Sequence, residues 1–122
     1  MTIEVEFAPG KKLIACHADP LDPWALVCAP YADPQDLERA FGGVNADLIA
    51  YGHFHSHHMM HWRDRLLVNV ASIGLRADGL SAYTLLESTD SRWVVQQFQV
   101  PFDVTEYERL AVVRKAPIFQ VN

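Results

Sequence analysis

The sequence predicts an α/β (α+β) fold in a single domain over residues 1–122: a mixed or mostly antiparallel sheet with helices on its outside. Three observations carry that expectation. Short apolar or alternating runs recur along the chain and are interrupted by turn residues, which is the spacing of strands. One segment is bracketed by helix signals, Asp33-Pro34 before it and Gly42-Gly43 after it. A second helical period follows the last strand-like run, with Asp103 and Thr105 as capping residues.

Taken in order, Thr2 to Phe7 alternates apolar and acidic residues, turns at Pro9-Gly10 and re-enters extended structure from Lys12 to Cys16. This is a β-hairpin that delivers His17 at its far end. Pro20, Pro23 and Pro30 exclude a helix from Ala18 to Asp33, a loop that Trp24 and Tyr31 are expected to pin by packing. The helix after Asp33 places Leu37, Ala40 and Phe41 on one face. Asp47 to Tyr51 is nearly continuous in apolar residues, the pattern of a central strand. Met59 to Trp62 and Leu66 to Val70 flank Arg63-Asp64-Arg65 as a second hairpin. Leu80 to Leu86 and Trp93 to Phe102 are two further strands separated by the polar run Ser88 to Ser91, and Val95, Phe98 and Val100 alternate against glutamines. Trp62, Trp93 and Phe98 read as core. The terminal helix, Glu106 to Lys115, should turn Tyr107, Leu110 and Val113 inward.

Composition narrows the classes of function. The chain is 50% apolar and 20% charged, with no apolar stretch long enough for a membrane span. Its formal charge of -5, with Lys and Arg scattered, gives no footprint for nucleic acid or an anionic membrane. Residues 2–10 alternate and carry Glu4 and Glu6, unlike a signal peptide, so the expected location is cytoplasmic. Cys16 and Cys28 lack metal-ligand spacing and read as reduced, partly buried thiols.

The chemistry lies in the histidines. Tyr51-Gly52-His53-Phe54-His55 follows the apolar run Leu48 to Ala50, and His17 comes after another apolar run, Leu13 to Ala15. In extended backbone, residues 53 and 55 project to one side, and a preceding glycine lets the chain bend and expose both imidazoles. Three imidazoles at a sheet rim suit zinc, iron or manganese but leave the cation short of charge compensation, so an acidic ligand is required as well. Asp19 either adds such a ligand or caps its loop. His57, His58 and His61 read as solvated loop residues outside the site. Asn69 and Ser72 either orient a ligand or stabilise a turn, and Arg76 either pairs a phosphate or is an exposed loop charge.

Three pieces recur in one order: His17-Ala18-Asp19-Pro20-Leu21-Asp22-Pro23-Trp24, Gly52-His53-Phe54-His55, and Asn69-Val70-Ala71-Ser72-Ile73-Gly74-Leu75-Arg76-Ala77-Asp78-Gly79 with Ala82-Tyr83. Together they resemble the carboxyl-terminal half of the bacterial calcineurin-like metallophosphoesterases, whose stretches look like His-Gly-Ser-Pro-Arg-Asp-Pro, Gly-His-Thr-His and Asn-Pro-Gly-Ser-Val-Gly-x-Pro-Arg-Asp-Gly. The resemblance implies a β-sandwich with flanking helices and a two-metal phosphoesterase. In it His17 and His53 would ligate one divalent ion and His55 the other, with a phosphate ester as substrate. The family's Asp-x-His, Gly-Asp and Gly-Asn-His segments have no counterpart here. Further departures are Ala18-Asp19 for Gly-Ser, Phe54 for Thr and Val70-Ala71 for Pro-Gly, the last of which changes a turn's backbone options. The expected function is therefore metal-dependent phosphate-ester hydrolysis by a truncated or split form that needs a complementing amino-terminal half. Two readings compete with it. One is a non-catalytic metal-binding or interaction module that self-associates through an uncovered sheet face, and the other is a three-histidine zinc hydrolase.

Overall fold

Alternation along Thr2–Ala8 and Lys11–Cys16 forms the antiparallel strands β1 and β2, joined at Gly10, whose φ of 72° suits a residue without a Cβ. In the computed structural model, residues 2–27, 29–73, 79–89 and 92–116 are described. Cys28, residues 74–78 with Arg76, and residues 90 and 91 of the polar run lie outside them.

Helix α1, Pro34–Phe41, starts where Asp33 Oδ1 accepts the Gln35 N–H at 2.8 Å and ends where the Gly42 N–H reaches Glu38 O at 2.8 Å. It returns the chain to β3, Leu48–Tyr51, which lies parallel to β2. The hairpin β4, His57–Trp62, and β5, Arg65–Val70, follows, with β5 parallel to β3. The five-stranded sheet has the order β1-β2-β3-β5-β4, with a parallel centre and antiparallel edges. A second, two-stranded antiparallel sheet is made of β6, Leu80–Ser88, and β7, Trp93–Pro101, and the chain then enters helix α2, Val104–Val113, capped by Asp103.

Period two divides β3 between two cores. Ile49 and Tyr51 pack with Leu67, Val27 and the α1 residues Leu37, Ala40 and Phe41. Leu48 and Ala50 pack with Leu66 and Val68 on the opposite face, against Leu86, Trp93 and Val95. Arg65 fastens the helix to the sheet: its guanidinium donates to Phe41 O at 2.8 Å and to Val44 O, and lies over the Trp62 ring.

Four expectations need correction. Trp24 and Tyr31 do not pin the loop, being 74% and 87% exposed; a short 3-10 turn over Ala29–Tyr31 and hydrogen bonds at Asp19 and Asp22 order it instead. Phe98 is on the outer face of β7, stacked on Tyr83 at 5.0 Å, because period two groups it with Val100 and turns Val95 and Gln97 inward. In α2 the buried residue is Ala111, while Tyr107 and Val113 are exposed. His57 and His58 are half-buried residues of β4 and not loop side chains.

Phe41 is fully buried at the junction of α1 and the sheet, its ring centroid 5.6 Å from that of Tyr51. Phe41→Ala is expected to cost about 3–5 kcal/mol, read as a lower midpoint in urea unfolding, whereas a loss under about 1 kcal/mol would mean that this core collapses around the gap.

Candidate metal centre

The site is a consequence of register. Cys16 and Tyr51 are partners across the β2–β3 ladder, so the residues just past them leave neighbouring strands at the same carboxyl-terminal edge. Outside the carboxyl ends of parallel strands is where open α/β sheets collect ligands. The Gly52 N–H donates to His17 O at 2.8 Å and carries the pairing one step beyond the strands. His17 Nε2 and His53 Nδ1 then stand 3.0 Å apart, with the rings nearly perpendicular. The two nitrogens share a hydrogen bond whose donor is set by the tautomers, and because two nitrogens on one tetrahedral zinc at about 2.0–2.1 Å are roughly 3.3 Å apart, a small separation of the rings would admit one ion between them.

Gly52 was the expected bend, but the turn falls on His53, whose φ is 67°. The Phe54 N–H donates to Gly52 O at 2.8 Å, closing a three-residue γ-turn around His53 in its uncommon positive-φ form. The turn interrupts the period-two projection expected of His53 and His55. His53 is half-buried and His55 is exposed. Among the described residues, no group of three or more His, Cys, Asp or Glu is arranged to hold a metal ion. The structure thus brings His17 and His53 together, and the donor chemistry of that pair fits a divalent ion as a partial ligand set.

The residues around the pair are used structurally. Asp19 is buried, and its Oδ1 accepts the N–H groups of Leu21 at 2.7 Å and Asp22 at 2.5 Å, so of its two expected roles the loop cap is the one occupied. The Cys16 thiol is half-buried and unpaired by any disulfide; burial and then the Asp19 charge push its pKa up to about 11, far from a reactive thiolate. Asn69 is fully buried. Its Nδ2 donates to Gly52 O at 3.4 Å, its Oδ1 accepts the Ala71 N–H at 3.0 Å, and its backbone oxygen accepts Gln97 Nε2 at 2.9 Å. Ser72 O accepts the Ala82 N–H at 2.9 Å, joining the loop after β5 to β6.

Sequence reasoning missed the role of His58. It shares a hydrogen bond with the Tyr51 hydroxyl in the core beneath the loop, and burial lowers its pKa from the ordinary histidine value. Alternation in β4 was the available signal, since His58, Met60 and Trp62 share a face and the latter two pack on the α1 core.

No protein-family model matches the sequence, and no curated protein does. Solved structures do share the fold. They include the hypothetical protein PH1004 from Pyrococcus horikoshii (14% identity, TM-score 0.74, covering 95% of this chain and 46% of that one). A metallophosphoesterase from Sphaerobacter thermophilus matches at 16% identity and TM-score 0.65 over 86% of this chain and 52% of its own. Vps29 from Entamoeba histolytica complexed with Zn2+ matches at 19% identity and TM-score 0.54, over 84% and 61%. The fold is therefore of the metallophosphoesterase type. The chain spans between 46% and 61% of the length of these neighbours.

Two predictions follow the geometry. Ala71 has a φ of 64°, a left-handed conformation at the position where the family pattern has glycine. Ala71→Gly is expected to raise stability by about 0.5–1 kcal/mol in urea unfolding, and a destabilised variant would show that the strain is absent. His58 resists protonation in the folded state, so below about pH 6.5 the unfolded chain takes up a proton that the folded chain refuses. Stability should fall as pH drops below about 6.5, by less in His58→Gln; an equal fall in both would remove His58 as a contributor.

Proposed function

We propose that this chain carries part of the metal centre of a metal-dependent phosphoesterase, with His17, His53 and His55 as imidazole ligands. The observation that carries the reading is the 3.0 Å approach of His17 Nε2 to His53 Nδ1 at the edge of a metallophosphoesterase-type sheet. When bound, divalent ions in such sites polarise the phosphate and activate water. The chain's own contribution is to present neutral nitrogens in fixed positions: the Gly52–His17 backbone bond sets the separation, and the turn at His53 sets the ring direction. Manganese, iron and zinc all suit this donor set. Imidazoles alone do not balance two closely spaced cations, so hydrolysis requires carboxylates from further polypeptide, in the same chain or in a complementing one. The substrate is a phosphate ester.

A second reading, a non-catalytic module holding one ion or a protein partner, is favoured by two observations. Among the described residues no three-membered His, Cys, Asp or Glu cluster is present, and Tyr83, Leu85, Phe98 and Val100 expose an apolar outer face on β6–β7.

Calorimetric titration with Mn2+ or Zn2+ is expected to show binding that weakens at least about tenfold in His17→Ala and in His53→Ala. Absence of binding in the parent would overturn the metal reading. In the same preparation, p-nitrophenyl phosphate hydrolysis with Mn2+ should stay near background, and robust turnover abolished by His55→Ala would overturn the need for further ligands.

A further inference from the structure

We infer that Asn69 is the positioning residue of this centre: its side chain holds the Gly52 carbonyl, and thereby the γ-turn that aims His53 Nδ1 at His17 Nε2. The inference rests on the reading of that pair as metal ligands for its consequence, though not for its geometry.

A γ-turn with positive φ at a histidine is strained, and such conformations persist only where surrounding bonds over-determine them. Three bonds converge on Gly52. Its N–H goes to His17 O, and its oxygen accepts both the Phe54 N–H that closes the turn and Asn69 Nδ2. The first two are backbone bonds that any residue at these positions makes. The third, at 3.4 Å the longest of them, depends on one side chain, and that side chain is fully buried. Asn69 also meets the second left-handed residue beside the site, Ala71, through Oδ1. An amide is suited to this, because it donates from one end and accepts at the other, whereas a carboxylate offers no donor and a hydroxyl is too short to span both. The Asn69 backbone is in turn tied across the two sheets by Gln97 Nε2 from β7. A continuous series of hydrogen bonds thus runs from β7 through the end of β5 to the turn between the histidines.

Outer residues that orient metal-ligating histidines change affinity by about 10–100-fold when removed. The test is Asn69→Ala made in an Ala71→Gly background, where the Oδ1 bond is no longer needed to hold a strained alanine. Histidine-ring 15N NMR of the folded protein reads the geometry, and Mn2+ titration reads its consequence. In the variant the His17 and His53 ring signals should shift while that of His61, on the far strand, stays in place, and Mn2+ affinity should fall by about 10–100-fold with a cooperative unfolding transition retained. Unmoved His17 and His53 signals would overturn the inference. A parent chain that binds no Mn2+ would sink the proposed function, and the ring signals would still decide the role of Asn69.

Discussion

The hydrogen bond from the Gly52 N–H to His17 O is the contact on which the candidate site depends. It extends the parallel β2–β3 pairing past the last strand residues, Cys16 and Tyr51, and so converts sheet register into a fixed distance between two loops. Burial of β3 on both faces makes that register difficult to slip. Leu48 and Ala50 are committed to one core and Ile49 and Tyr51 to the other, so a shift by one residue would send every side chain to the wrong side. The 3.0 Å imidazole pair is in this sense a property of the apolar run that precedes it.

Where local chemistry decides structure, the elements were legible in the sequence. Gly10 marks the first turn, Asp33-Pro34 and Gly42 bound α1, and the unbroken run Leu48 to Tyr51 marks the central strand; each element forms at those residues. What was not legible depends on which face of an element finds a partner. Trp24, Tyr31, Tyr107 and Val113 are apolar enough for a core, but nothing in their local sequence says whether another layer covers them. Phe98 was misplaced for a simpler reason. It sits three residues after Val95, and a strand places residues an odd number apart on opposite faces.

The same distinction applies within the site. The family-like spacing located His17 and His53, which the structure brings together, whereas the expected bend at Gly52 occurs one residue later. Glycine permits a turn without requiring one, and here the bonds around Gly52 place the positive φ on His53. Ala71 shows the converse. The departure from a family glycine signalled altered backbone options, yet the chain keeps the left-handed conformation and meets its cost with the Asn69 Oδ1 bond to the Ala71 N–H.

Charge explains why the described residues favour a partial ligand set. A divalent ion between neutral imidazoles is better balanced with anionic oxygen or sulfur nearby, and the carboxylates that follow His17, Asp19 and Asp22, each accept backbone N–H groups through Oδ1. Asp19 Oδ1 closes the loop through the Leu21 and Asp22 N–H groups, so turning the carboxylate toward an ion would give up two short loop hydrogen bonds. Cys16 is kept protonated by its surroundings, with a pKa near 11. This loop holds His17 at the end of its strand, with Asp19 Oδ1 committed to the loop's own backbone. In the proposed phosphoesterase reading, carboxylates from further polypeptide supply the anionic half of the centre and the imidazoles here supply the neutral one.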